Sequence, residues 1–164
     1  MELKHKVFAY ITSGSRLLVF DHAHHPEAGT QVPAGTRFEE ELPEDAVLRE
    51  AEEETGLSGL RVAGFLGEVD HLVSEWNQLH RRRFYHLVCL SSEIEGWQHH
   101  ERFPSDGTTE PILFELFWVD MPNGVPVLAP GHDAMLGTLM ESMGLEAQPE
   151  DALGSENARP LQDD

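Results

Sequence analysis

Apolar side chains alternate at Val7, Ala9 and Ile11, pause at Ser13-Gly14-Ser15, and resume in the run Arg16-Leu17-Leu18-Val19-Phe20-Asp21. That pattern predicts a β-hairpin with a polar turn. His22 to Thr30 has loop composition, and Gln31-Val32-Pro33-Ala34-Gly35 reads as a short extended piece ending at a glycine turn. Pro43 suits the first turn of a helix and Gly56 suits its stop, with Val47, Leu48, Ala51 and Thr55 on one side between them. Arg61 to Val69 and Phe84 to Leu90 predict two more strands, joined across the polar Ser74 to Gln78 region.

Further along, Ser91 to Thr109 is hydrophilic and reads as a long loop, followed by the strand-like Ile112 to Val119. Met135, Leu136, Leu139, Met140 and Met143 recur at helical spacing and predict a second helix over Asp133 to Met143. Strands flanked by two unequal helices define an α/β sandwich around a mixed sheet. The expected domain covers residues 1–144; residues 145–164 lose periodicity, turn acidic and read as a disordered tail.

The chain has 164 residues, enough for one domain with its own core and too few for two comfortable ones. Its formal charge of −19, from 30 acidic and 11 basic side chains, opposes binding to a nucleic-acid polymer or an anionic membrane surface. The single cysteine, Cys89, lies in an apolar strand and is expected to be a buried thiol. No secretion segment or run of membrane-spanning length is seen, so the expectation is a soluble cytoplasmic protein.

Within that acidic background one segment is chemically specific. On the first helix Glu50, Glu53 and Glu54 fall at i, i+3 and i+4 and project as one acidic patch, with only Arg49 and Arg37 near to offset it. Hard divalent cations are held by a few carboxylates together with substrate phosphates, so the patch reads as a metal–phosphate site. The competing reading is an exposed acidic helix face.

The order glycine, five residues, glutamate, seven residues, then Arg-Glu-Ala-x-Glu-Glu-x-Gly-Leu occupies Gly35, Glu41, Arg49, Glu50, Ala51, Glu53, Glu54, Gly56 and Leu57. It resembles the Nudix box of the Nudix hydrolase superfamily, with every charged and glycine position filled. The small Ala51 and the sequence Pro33-Ala34-Gly35, where Pro-Gly-Gly is frequent, depart from the pattern without touching a charged position. A looser likeness runs from Lys4 to Met143.

The resemblance implies a Nudix-like α/β/α sandwich with a mixed, partly antiparallel sheet. It also implies hydrolysis of a phosphoanhydride bond in a nucleoside diphosphate linked to another group, with Mg2+ or Mn2+ required. Carried over residue by residue, it makes Glu50, Glu53, Glu54 and the Gly35 carbonyl the metal ligands, Arg49 an orienter of a ligand carboxylate and Glu41 a supporting acid. The general base is expected at Glu53 or on a later glutamate. Among Glu95, Glu101, Glu110 and Glu115, the residues Glu110 and Glu115 are expected nearest the site.

Arg81, Arg82 and Arg83 form a basic cluster at a strand start, where alternate residues face opposite ways. Arg81 or Arg83 is a candidate phosphate clamp, and Trp76, set among polar residues, a candidate base-stacking surface. His22, His24, His25, His99 and His100 are expected as solvated loop histidines. The proline expected of ADP-ribose hydrolases is absent around Leu72, and the tyrosine of many dinucleoside polyphosphate hydrolases is absent around Val73 to Glu75. The preferred substrate is therefore a small nucleoside di- or triphosphate. Dinucleoside polyphosphates, nucleotide sugars, coenzymes and non-catalytic nucleotide binding are the alternatives, and superfamily precedent implies a homodimer.

Overall fold

A computed structural model of the protein describes residues 1–90, 94–101 and 111–146. The chain runs through β1 (Glu2–Ser13), β2 (Arg16–His22), β3 (Ala34–Thr36), α1 (Pro43–Thr55), β4 (Leu60–Val73), β5 (Gln78–Cys89), β6 (Gly96–Glu101), β7 (Ile112–Asp120) and α2 (Leu136–Ser142). The strands form one mixed sheet in the order β4-β5-β1-β2-β7-β6, with β3 added to β1. β1 and β5 are parallel; the other pairs are antiparallel.

β1 is the central strand, and its residues Val7 to Thr12 are buried on both faces. Val7, Ala9 and Ile11 point to a core shared with Leu18, Phe20, Ala46, Val47, Ala51, Tyr85, Leu87, Phe114 and Leu116, under α1. Phe8 and Tyr10 point to the other core, with Leu17, Val19, Val32, Phe84 and Leu139, under α2. The result is a helix–sheet–helix sandwich, which is how a two-faced apolar sheet escapes water.

α1 begins as the sequence predicts. Leu42 is extended at the N-cap, Pro43 follows it, and Glu44 and Asp45 place negative charge near the free N–H groups of the first turn. Gly56 ends the helix in the left-handed conformation at φ 75° and donates its N–H to the Glu52 carbonyl.

Two expectations are corrected. The hydrophilic stretch after Leu90 is not all loop, because Gly96–Glu101 forms β6 against β7. Its residues look polar in sequence because only alternate side chains, Trp97, His99 and Glu101, turn inward. α2 is shorter than predicted, starting at Leu136, because the preceding residues make turns tied to Tyr10: its hydroxyl donates to the His132 carbonyl at 2.7 Å and accepts the Met135 N–H at 3.1 Å. Residues 147–164 of the predicted tail lie outside the described residues, while Leu145 packs against the second core. Among the described residues no helix is long and apolar enough to cross a membrane.

Candidate active site

β3 lies beside β1 with Gly35 opposite Val7, which brings the glycine under α1. A Cβ at Gly35 would run into the Glu50 carboxylate, so a side chain here would take the space that carboxylate occupies. Glu50 and Glu54 are 4% and 7% exposed, whereas Glu52 faces solvent. The helix therefore turns its box glutamates toward β3 and leaves the intervening one outside.

Arg49 is the hub of the near side. Its Nε and Nη2 donate to Glu41 at 2.8 and 3.0 Å, Nη2 also to the Thr36 carbonyl at 3.0 Å, and Nη1 to Glu50 at 3.1 Å and Glu53 at 3.3 Å. The Phe38 ring covers its guanidinium, 3.9 Å from Cζ to the centroid. The paired guanidinium holds the Glu41 carboxyl below the usual carboxylate range, while Glu41 in turn raises Arg49.

The far side is supplied by Glu101, one of the four late glutamate candidates, where Glu110 and Glu115 were expected nearest. β6 is set by β7 so that Glu101 pairs with Ile112, and Glu101 is 4% exposed. One oxygen each from Glu50, Glu53 and Glu101 lies within 4.8 Å of the others. Glu54 is turned instead to the Ala34 N–H at 2.8 Å and shares a hydrogen bond with Glu101. Burial pushes the Glu54 carboxyl well up, and the charge of Glu101 pushes it further; burial also raises Glu50 despite Arg49.

Side chains from β6 fasten it to α1. The Trp97 indole N–H donates to the Thr55 carbonyl at 2.8 Å, and His99 Nε2 meets the Glu53 carbonyl at 2.9 Å. Both serve carbonyls at the helix end that have no partner within the helix. His99 is thus a half-buried docking residue, contrary to the solvated role expected for it.

The remaining sequence candidates scatter. Glu115 alternates with Phe114 and Leu116, which join the core under α1, so it lies on the opposite face, exposed and bonded to Gln98 at 3.3 Å. Glu95 pairs with Arg16 at 2.8 Å. Glu110 lies outside the described residues. Trp76 is 66% exposed at the β4–β5 turn, beyond Gln78, which pairs with Glu2. Glu2 is five residue steps from Val7 along β1, so Trp76, beyond Gln78, is at least about 16 Å along the strand from the level of Gly35.

Arg81 and Arg83 share the α1 face. Arg81 pairs with Asp70 at 2.9 Å and Arg83 with Glu68 at 3.1 Å. Arg83 stacks over Phe65, 4.1 Å from Cζ to the centroid, and donates to the Tyr85 hydroxyl at 3.0 Å. Its strand position is level with Val7 and hence with Gly35, two strand spacings or about 10 Å across the sheet. Arg82 faces the other way, as strand alternation requires.

All donors of the converging group are carboxylate oxygens, the ligand type of hard divalent cations. Buried carboxylates held above their usual range, with a single guanidinium among them, are the electrostatic complement of such a cation. The cluster fits a divalent metal ion.

A helix–sheet–helix sandwich carrying a carboxylate cluster that fits a divalent cation at a glycine strand defines the class. The NUDIX domain model matches residues 3–131, and the chain belongs to the Nudix superfamily, whose general activity is hydrolysis of nucleotide-related substrates. No curated protein matches significantly.

Solved structures share the fold. A MutT NUDIX hydrolase from Burkholderia pseudomallei is 23% identical over 85% of this chain and 97% of its own, with TM-score 0.60. A UDP-X diphosphatase is 16% identical over 88% of this chain, with TM-score 0.63, and this chain spans 64% of its length. The solution structure of the E. coli ORF135 protein is 18% identical over 87% and 92% of the two chains, with TM-score 0.59.

Proposed function

We propose that the protein is a divalent-cation-dependent pyrophosphohydrolase that cleaves a phosphoanhydride bond in a nucleoside di- or triphosphate, or in a related nucleoside diphosphate linked to another group. The observation that carries this reading is the convergence of Glu50, Glu53 and Glu101 within 4.8 Å beside Gly35. These carboxylates, with the Gly35 carbonyl, would hold Mg2+, or Mn2+ in its place. Such an ion, when bound, neutralises phosphate oxygens and makes a coordinated water more acidic.

The chain's own groups then have distinct tasks. Glu53, with a side chain 32% exposed against 5% for Glu50, is the carboxylate placed to accept the proton of the attacking water. The water oxygen bonds to phosphorus, the bridging oxygen leaves with its electron pair, and a nucleoside monophosphate and a phosphate-bearing fragment result. Arg49 fixes Glu50 and Glu53, and Glu41 fixes Arg49. Glu54 ties Glu101 to the Ala34 amide and so acts as a positioning residue. Arg83, one of the expected phosphate clamps, and the exposed Phe65 ring offer a guanidinium and an aromatic face on the same side of the sheet, the ring taking the stacking role first given to Trp76.

The test is a nucleotide panel assayed with Mg2+ and Mn2+, products resolved by chromatography, alongside Mn2+ titration of the parent, Glu53→Gln and Glu101→Gln. Release of a nucleoside monophosphate, with Mn2+ affinity weakened in both variants, is expected. Absence of divalent-ion affinity with and without nucleotide refutes the proposal.

A further inference from the structure

The sheet face opposite α1 gathers cations that the carboxylate site does not use. The parallel pairing of β1 with β5 sets Lys6 level with Arg82 and Lys4 level with His80. β4 adds His71 opposite His80, and the segment Pro130–His132 closes over Arg82, whose Nη1 donates to the Pro130 carbonyl at 3.4 Å. A Cβ at Gly131 would strike the Arg82 guanidinium.

Arg82 and Lys6 lack acidic partners. Arg82 Nε is buried without a hydrogen-bond partner, and the guanidinium otherwise lies over Phe8 at 4.9 Å. Lys6 Nζ donates to the Thr36 hydroxyl at 2.7 Å. Among the described residues neither forms an ion pair, whereas Lys4, Arg16, Arg49, Arg81 and Arg83 all do. The nearby acids are otherwise engaged: Glu2 pairs with Lys4 at 3.2 Å, Glu75 acts on His71, and Asp133 is exposed beside Tyr10.

A chain with 30 acids and a charge of −19 has no shortage of counter-charges. Withholding one from a half-buried arginine leaves its desolvation uncompensated, which is the condition of a binding group awaiting an anion. Burial lowers Arg82, and burial together with the neighbouring cations lowers His71, His80 and His132, so the imidazoles are neutral hydrogen-bonding groups at pH 7. Position supports the same reading, since Thr36 adjoins Gly35 on β3, and Lys6 lies within the electrostatic reach of Glu50 and Glu54. Lys6 therefore stands at Thr36, next to Gly35 on the three-residue β3, with the sheet between it and the carboxylates.

We propose that Lys6 and Arg82, framed by His71, His80 and Pro130–His132, form a subsite for a phosphate group of the substrate other than those lying against the carboxylates. The substrate class is then a nucleotide that carries at least one phosphate besides the two that share the cleaved bond. This rests on the carboxylate cluster being the hydrolytic site.

The experiment titrates orthophosphate and inorganic tripolyphosphate into the full chain in EDTA, by calorimetry and phosphorus NMR, so that no anion binds through a divalent ion. Saturable binding is expected, weakened about tenfold or more in Arg82→Met and in Lys6→Met, because each removes a charge-assisted donor. Both variants should bind Mn2+ no more weakly than the parent, and Arg82→Met should melt no lower than the parent, since it removes a buried charge with no acid partner. No saturable binding by the parent, or undiminished affinity in both variants, overturns the subsite. Loss of Mn2+ binding by the parent overturns the hydrolase reading separately.

Discussion

Arg49 holds more of the site together than any other described side chain, and its removal has a calculable cost. Arg49→Ala deletes the paired contacts to Glu41, those to Glu50 and Glu53, and the bond to the Thr36 carbonyl. Removing one partner of a buried ion pair costs about 3–5 kcal/mol, because the other charge stays behind. Here the lower end applies. Arg49 is 22% exposed, Glu41 15% and Glu53 32%, so water recovers part of the loss, and Glu50 can escape by taking a proton.

An expected loss of about 3 kcal/mol corresponds to about 6–12 °C in melting temperature for a chain of this length. Arg49→Lys keeps the charge without the two-pronged geometry and should recover about half of it. The assay is urea unfolding in EDTA, repeated with saturating Mn2+. The metal should shrink the Arg49→Ala deficit by neutralising Glu50 and Glu53, but not abolish it, because Glu41 stands outside the converging group. A deficit below about 0.5 kcal/mol in EDTA, the range of an ordinary surface substitution, would refute the argument.

Gly35→Ala should displace the Glu50 carboxylate and lower Mn2+ affinity while costing only about 1–3 kcal/mol of stability, the usual range for overpacking; unchanged Mn2+ affinity by titration would contradict this. Because the folded-state Glu50 and Glu54 carboxyls lie above 4.5, these two groups hold more protons in the metal-free folded chain than in the unfolded one. Their contribution to stability therefore declines as pH rises from 4.5 through those raised values and is level above them. Glu54→Gln should make the metal-free protein more stable at pH 7, and a less stable variant by urea unfolding would count against the account. His132 accepts the Val32 N–H on Nδ1 at 3.2 Å and is held neutral, its pKa lowered to about 4 by burial first and Arg82 second. Its contribution, about 3 kcal/mol, is present above 6.5 and lost as pH falls toward 4. An imidazole NMR titration with a midpoint above 6 would exclude this.

Local spacing made much of this protein readable from one line of residues. Pro43 and Gly56 bound α1, and the i, i+3, i+4 glutamates share a helix side. The two hairpins β1–β2 and β4–β5 were also legible, because their partners are neighbours along the chain. Helix periodicity and short turns depend on residues a few positions apart, so the sequence contains the whole determinant.

Membership of the converging group was another matter. Glu101 reaches Glu50 and Glu53 only because β6 pairs with β7 in one register, and Glu115 is turned away by the same pairing. Arg82 differs from Arg81 and Arg83 through strand parity alone, yet whether its face is charged or balanced depends on β1, β4 and the Pro130 to His132 segment packed around it. A shift of one residue in a strand reverses every side chain, and that register is set by partners far away in the chain. Chemistry carried on one helix could therefore be read directly, whereas chemistry assembled across strands required the fold.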